Sequence, residues 1–256
     1  MTSTRIGLAF LALSTFSPFA ERPASAQSSA TVVRQESQAY QRVTRSRDGI
    51  GVAYLGREIA QVMDAAGADW LERGARVTEE RPDLLLSALA RKKGMTVADV
   101  GAGSGFYSWR MAERIGPTGR VLAVDVQPEM LARLDTEMKR RSVGNVTPVL
   151  GTSTDPHLPD GAVDLILMVD VYHEFARPKE MLDALVRSLK VDGRLVFVEY
   201  RAEDESVPIS PHHKMSVAQV RREAAAAGLT WQDSIETLPW QHILIFTRRG
   251  TRDLAH

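Results

Sequence analysis

The nine residues Val97-Ala98-Asp99-Val100-Gly101-Ala102-Gly103-Ser104-Gly105 decide how the chain is read. An apolar, β-forming run ends at Asp99 and Val100. Glycines then stand at alternate positions, and Phe106 to Ile115 suits a helix. Alternate glycines let a strand turn sharply into a helix and let backbone N–H groups come close to a ligand. A second apolar run, Arg120 to Val124, ends in Asp125, twenty residues beyond Gly105. A carboxylate at the tip of the neighbouring parallel strand can accept hydrogen bonds from a ribose diol. The stretch therefore predicts either an adenosine-type pocket or a tight strand-to-helix turn without a ligand.

The glycine spacing is G-x-G-x-G, one residue short of the dinucleotide fingerprint G-x-G-x-x-G. Together with Val124-Asp125-Val126-Gln127-Pro128-Glu129-Met130, the Asp99–Gly105 motif closely resembles the class I S-adenosylmethionine-dependent methyltransferases. The resemblance covers residues 96–248, and its cofactor half is more specific than its substrate half. It implies an α/β, Rossmann-like methyltransferase fold. Such a fold has a mostly parallel seven-stranded sheet, helices on both faces and a terminal antiparallel hairpin.

The 256 residues suffice for one domain with an N-terminal extension. Lys plus Arg and Asp plus Glu each number 32, so the formal net charge is zero and nothing global points to nucleic acid. The absence of cysteine excludes thiol nucleophiles, disulfides and thiolate metal sites. Arg5, the mostly apolar run Ile6 to Ala20 and the small residues of Ala24-Ser25-Ala26 form a secretory signal pattern with cleavage expected after Ala26. The expectation is export to a periplasmic or extracellular location, without stable membrane association after cleavage. A cytoplasmic location is the alternative, because S-adenosylmethionine is made there.

The expected organisation is a signal peptide (1–26), a polar linker (27–48), a helical cap (49–90), a methyltransferase domain (91–250) and a tail (251–256). Within the cap, Tyr54, Ile59, Val62, Met63, Trp70 and Leu71 recur at helical spacings. Trp70 is expected to pack on the core. A further helix is expected from Glu79-Glu80-Arg81-Pro82, with Leu84, Leu85, Leu86 and Leu89 on its buried side. Strands are predicted at Thr96–Val100, Arg120–Val124, Val146–Leu150, Val163–Val169 and Leu195–Glu199. Helices are predicted at Phe106–Ile115, Pro128–Arg141, Lys179–Leu189 and Val217–Ala227. Val191-Asp192-Gly193 reads as a turn, and Trp231–Glu236 with His242–Thr247 as closing strands. The unbroken apolar run Leu165 to Val169 implies burial on both faces of a parallel sheet.

Ligands of open α/β sheets bind beyond the carboxyl ends of the strands, which collects the candidate residues. The resemblance implies that Gly101, Gly103 and Gly105 pass under the cofactor and that Asp99 orients its methionine end. Asp99 can instead tie down the glycine turn. Asp125 is implied as the ribose acceptor, with a helix cap as the alternative, and Val126 as the adenine neighbour. Thr152 or Ser153 replaces the acidic or amide residue that more commonly reads adenine, and Asp155 could reach back. Asp170, Tyr172, His173 and Glu174 are the polar candidates near the methyl acceptor, Asp170 also standing beside the cofactor. His173 reads as a general base or as a residue of the cofactor loop. Glu174, next to it, is expected to point elsewhere. His212, His213 and Lys214 belong to a substrate-covering insertion or to a solvated loop. No compact set of Asp, Glu and His at ligand spacing predicts a metal site.

The implied activity is methyl transfer from S-adenosylmethionine to a small organic acceptor. The rivals are a non-catalytic cofactor-binding protein, a protein methyltransferase and a nicotinamide oxidoreductase. A nucleic-acid substrate is not expected, because the (N/D)-P-P-(Y/F) run of base-modifying enzymes is missing. The sequence sets no oligomeric state.

Overall fold

The computed structural model describes residues 1–2, 39–89 and 92–248. The segment expected to be a signal peptide (apart from residues 1–2), most of the expected linker and the expected tail lie outside the described residues. The chain divides into residues 1–39 and a second unit, residues 40–256, and the second is described below. Among the described residues no helix is long and apolar enough to cross a membrane.

The unit begins with a three-stranded antiparallel meander, β1 (Tyr40–Arg42), β2 (Gly49–Tyr54) and β3 (Arg57–Ala60). This corrects the helix expected over the first part of residues 49–74. The apolar block Val52 to Leu55 fits either period, and the turn decides. Leu55 and Gly56 both take positive φ, 47° and 92°, the two-residue turn whose twist matches paired strands. Short helices α1 (Ala68–Leu71), α2 (Arg76–Glu80) and α3 (Pro82–Ala88) follow. Arg81, at φ 46°, breaks α2 from α3, and Pro82 opens α3 in its first turn. The cap is therefore part sheet and part helix.

The main body alternates β4 (Thr96–Val100), α4 (Ser108–Ile115), β5 (Arg120–Asp125), α5 (Pro128–Arg140), β6 (Val146–Leu150) and β7 (Val163–Val169). Next come α6 (Pro178–Ser188), β8 (Leu189–Arg201), β9 (Lys214–Met215), α7 (Val217–Ala226), β10 (Leu229–Ile235) and β11 (Gln241–Arg248). The sheet order is β10-β11-β8-β7-β4-β5-β6, with the two-residue β9 paired to β8 off that path. Strands β8 to β6 along this order run parallel, while β11 is antiparallel to both neighbours. The expected architecture thus holds, with one short extra strand.

Alternation along each strand feeds two cores, because successive side chains leave opposite faces. Ala98, Leu122, Ile166, Met168 and Phe197 meet Leu182 and Leu185 of α6 and Val220 and Ala224 of α7. Val97, Val121, Leu165, Leu167 and Val196 meet Leu85, Leu86 and Leu89 near α3 and Met111 and Ile115 of α4. Each fully buried leucine of this kind is worth about 1.5–3 kcal/mol relative to exposure. The turn expected at Val191–Gly193 is instead a bulge inside β8. Val163 pairs with Leu189 and Leu165 with Arg194, so β8 spends five residues where β7 spends two.

Candidate active site

Strands β4 and β7 lie side by side, but β5 follows β4 on its other edge. The chain reverses direction across the sheet there, and ligands of open α/β sheets bind at such a switch point. A cavity of about 420 Å³ opens at that place, within the range of small-molecule sites. Its floor carries Asp99, Gly101, Gly103, Asp125, Val126, Thr152, Ser153 and Asp170. Val62, Met63, Trp70 and Leu71 line it from the N-terminal segment. Trp70 is therefore on the cavity rather than in the core; it is 43% exposed, and the Arg73 guanidinium stacks 3.6 Å from its ring centre.

All three glycines of the loop have positive φ. Gly101 N–H and Ala102 N–H both donate to Val124 O at 2.9 Å, which fixes the loop over the end of β5. Gly105 lies under α5, where a Cβ would stand 3.0 Å from Leu134 and Met138, and is not among the lining residues. Its part is packing. Asp125 Oδ2 accepts Gly103 N–H and Oδ1 accepts Gln127 N–H, each at 2.9 Å. Burial raises its pKa, and those two N–H groups oppose the shift. The carboxylate therefore braces the loop as well as facing the cavity.

Asp99 is buried and accepts the Ser108 hydroxyl at 2.6 Å, which anchors the first turn of α4. Burial pushes its pKa up to about 6, with Ser108 opposing. An acid with a raised folded pKa binds its proton more tightly in the folded state. Its cost appears as pH rises through the unfolded value near 4 and is complete above about 6. The difference between about 4 and about 6 corresponds to about 3 kcal/mol. Asp99→Asn is therefore expected to gain about that much stability over the parent at pH 7 and almost none near pH 4. Urea midpoints at the two pH values test this, and a difference independent of pH would contradict it.

Asp170 follows β7 in a left-handed conformation, φ 49°. Its Oδ2 accepts Gln241 Nε2 at 3.0 Å, while its Oδ1 is buried without a partner. Burial, then the Glu80 charge, raises its pKa well above the carboxylate range. Thr152 Oγ1 accepts the N–H groups of Thr154 and Asp155 at 3.3 and 3.0 Å, so this hydroxyl shapes its own loop.

Tyr172 does not line the cavity. Its ring is fully buried in the sheet core and its hydroxyl donates to Glu223 at 2.6 Å. This corrects its placement beside the acceptor. His173 does line the cavity, and its Nδ1 lies 2.6 Å from Glu199 Oε2. Glu199 Oε1 accepts Tyr172 N–H at 2.9 Å. With the carboxylate accepting at both oxygens, Nδ1 donates this hydrogen bond and Nε2 faces away from Glu199. That Nε2 is 3.0 Å from His213 Nδ1.

Glu174 does not point elsewhere. Residues 172–174 form one 3-10 turn, whose tight winding leaves His173 and Glu174 both on the cavity wall. Burial pushes Glu174 up to about 7. His213 comes from the 3-10 turn Pro211–His213, so this insertion covers the cavity. Sequence spacing could not join His213 to His173, forty residues earlier. His212 turns away to Glu58 at 3.1 Å and Ser46 at 2.9 Å.

Sheet order, hairpin and cavity together define a Rossmann-like methyltransferase fold. Residues 91–248 match the model of the methyltransferase domain family, and the chain belongs to that family. A crystal structure of an S-adenosylmethionine-dependent methyltransferase from Aquifex aeolicus is similar at a TM-score of 0.70 and 26% identity. The match covers 73% of this chain and 100% of that one. Nocamycin O-methyltransferase from Saccharothrix syringae is 29% identical, covering 54% of this chain and 46% of the relative. A ubiquinone/menaquinone biosynthesis C-methyltransferase from Azotobacter vinelandii is 28% identical, covering 63% of each. The chain thus spans about half to three fifths of these curated relatives. S-adenosylmethionine is the cofactor of this pocket. Its residues suit that group, since a buried acceptor at Asp170 lacks a donor and the glycine loop admits close approach.

Proposed function

We propose that the chain transfers the methyl group of S-adenosylmethionine to a small organic acceptor. The observation that carries this reading is one continuous cavity, lined by the glycine loop and Asp125 and also by His173, Glu174 and His213. Asp125 binds the ribose, Val126 flanks adenine, and Thr152 and Ser153 border it. Asp99 and Asp170 serve the amino-acid end, where the unpartnered Asp170 Oδ1 accepts the ammonium. The cofactor supplies a methyl group already activated on a sulfonium, so the protein's part is alignment and exclusion of water. Trp70, Leu71 and Met63 shield the cavity, and the hydrogen-bonded His173–His213 pair stands where the acceptor's proton leaves.

The words nocamycin and ubiquinone/menaquinone in the names of the two curated relatives support a small acceptor. Balanced charge and the lack of a basic tract speak against nucleic acid. Calorimetry of the folded full chain with S-adenosylhomocysteine is expected to show one site per chain, and a panel of small hydroxylated acceptors should give a methylated product. Absence of heat from folded protein would sink the reading. Export belongs to the same proposal and rests on residues 1–26 alone; N-terminal sequencing of mature protein should begin at Gln27, and an intact Met1 would refute it.

A further inference from the structure

Three potential ligand atoms converge on the cavity wall, contributed by two separate elements. His173 Nε2 is 3.0 Å from His213 Nδ1 and 3.9 Å from Glu174 Oε1, and the latter two atoms are 3.6 Å apart. All three side chains line the cavity. Glu174 is too far from either imidazole nitrogen for a hydrogen bond. It receives Met63 N–H at 3.3 Å, a long contact for a carboxylate only 10% exposed. A carboxylate set beside two imidazole nitrogens but beyond hydrogen-bond reach of both is satisfied poorly by hydrogen bonds and well by a cation, which would displace the proton the two rings share.

We propose that His173, Glu174 and His213 bind one divalent first-row transition-metal ion, which holds the oxygen of a small hydroxylated acceptor. The inference rests on the methyltransferase reading above. The separations suit such an ion, because bonds of about 2.1 Å at tetrahedral angles put ligand atoms about 3.4 Å apart. The observed triangle has the same mean size, with its short side closed by the His173–His213 contact.

The surroundings are those of a metal site in a second respect. A metal-bound imidazole commonly donates its other N–H to a carboxylate, which fixes the tautomer and raises ligand basicity. Glu199 does this to His173 at 2.6 Å while fully buried. Arg57 Nη1 also donates to His173 O at 3.0 Å and holds the turn from behind. Two carboxylates, Glu174 and Glu199, balance a dication, whereas the nearby Arg57 charge is already paired with Glu223. Two imidazoles and one carboxylate select ions such as Zn²⁺ or Fe²⁺ over Mg²⁺ or Ca²⁺. Three protein ligands leave a coordination position open toward the cavity.

Such an ion lowers the pKa of a ligated hydroxyl, as it does for water. The acceptor's proton then leaves to solvent. The acceptor oxygen forms the new bond to the methyl carbon, the carbon–sulfur bond breaks, and sulfur keeps that electron pair. In this arrangement His173 acts as a ligand, and the ion takes over the handling of the acceptor's proton.

Full-length protein stripped with a chelator and dialysed against Zn²⁺ is expected to retain one ion per chain. Loading with Co²⁺ should give the visible absorption of a histidine-ligated, low-symmetry site. His213→Ala and Glu174→Gln are expected to abolish retention, and Glu199→Gln to weaken it by about 10–100-fold. His157→Ala, on an exposed loop, should change nothing. Folded parent protein that retains no zinc, or retention unchanged in His213→Ala, overturns the proposal. Should the variants fail to fold, a Co²⁺ spectrum of the parent without histidine ligation also overturns it. Calorimetry with S-adenosylhomocysteine on the same samples separates the two readings. Folded parent that binds S-adenosylhomocysteine but retains no added zinc defeats the metal site alone, and folded parent that binds neither defeats the methyltransferase reading.

Discussion

Glu223→Ala is expected to destabilise the folded chain by about 3–5 kcal/mol, the cost of leaving a buried charge without its partner. Arg57 of β3 and Glu223 of α7 form a two-pronged pair at 2.9 and 3.0 Å. Glu223 is fully buried, and the Arg57 side chain is 12% exposed. The same carboxylate accepts the Tyr172 hydroxyl at 2.6 Å and Gln219 Nε2 at 2.8 Å. Truncation therefore strands the guanidinium charge and the phenol, while the Gln219 amide keeps Leu55 O at 3.2 Å. These groups join the N-terminal meander, the turn carrying His173 and the last helix, so the loss should also loosen the site. Urea titration gives the magnitude; a change below about 1 kcal/mol, the range of exposed pairs, would contradict it. The double variant Arg57→Met/Glu223→Leu should recover much of the loss, since it leaves no charge unpaired. Recovery would show that the pair specifies how the segments dock more than it adds net stability.

Gly101→Ala is expected to lower stability by about 2–5 kcal/mol and to remove measurable cofactor binding. Gly101 has φ 74°, and a left-handed residue with a Cβ costs about 1–2 kcal/mol. The added carbon would also stand 2.3 Å from Val171 Cγ2 and 2.8 Å from Val171 Cβ. Relief requires moving the β7 loop or the glycine loop, and overpacking of that kind costs about 1–3 kcal/mol more. Either shift moves the cavity floor between Gly101 and Asp170. Gly161→Ala supplies the comparison: φ is 61° there, and nothing lies within 4 Å of the added carbon. Denaturation of both variants separates backbone strain from the Val171 clash, and calorimetry with S-adenosylhomocysteine reads the functional loss. Equal destabilisation with binding retained would show that the contact is not limiting.

The sheet was legible because its strands are long apolar runs punctuated by glycine and proline turns. Strands β4, β6 and β7 fall at the boundaries expected, and α5, α6 and α7 within a residue of theirs. The meander was not legible, since Val52 to Leu55 fits two periods and the deciding feature is a positive φ at Leu55, a residue that seldom adopts one. The β8 bulge read as a turn for a related reason, because Asp192-Gly193 favours either. At the site, the glycines and Asp125 could be found from spacing, because one strand–turn–helix unit fixes them locally. Tyr172 and Glu174 depart from the sequence expectation, because a 3-10 turn has neither the alternation of a strand nor the period of an α-helix.

The sequence by itself determined the parallel sheet, the glycine loop at its switch point and the acid at the end of β5. Those features depend on short-range backbone preferences and on the periods of apolar residues. Only the tertiary structure decided that Trp70 roofs the cavity, that Glu199 orients His173, and that His213 meets His173 and Glu174. Each of these contacts joins elements distant in the chain, and their encounter follows from how whole faces pack, which no local spacing encodes.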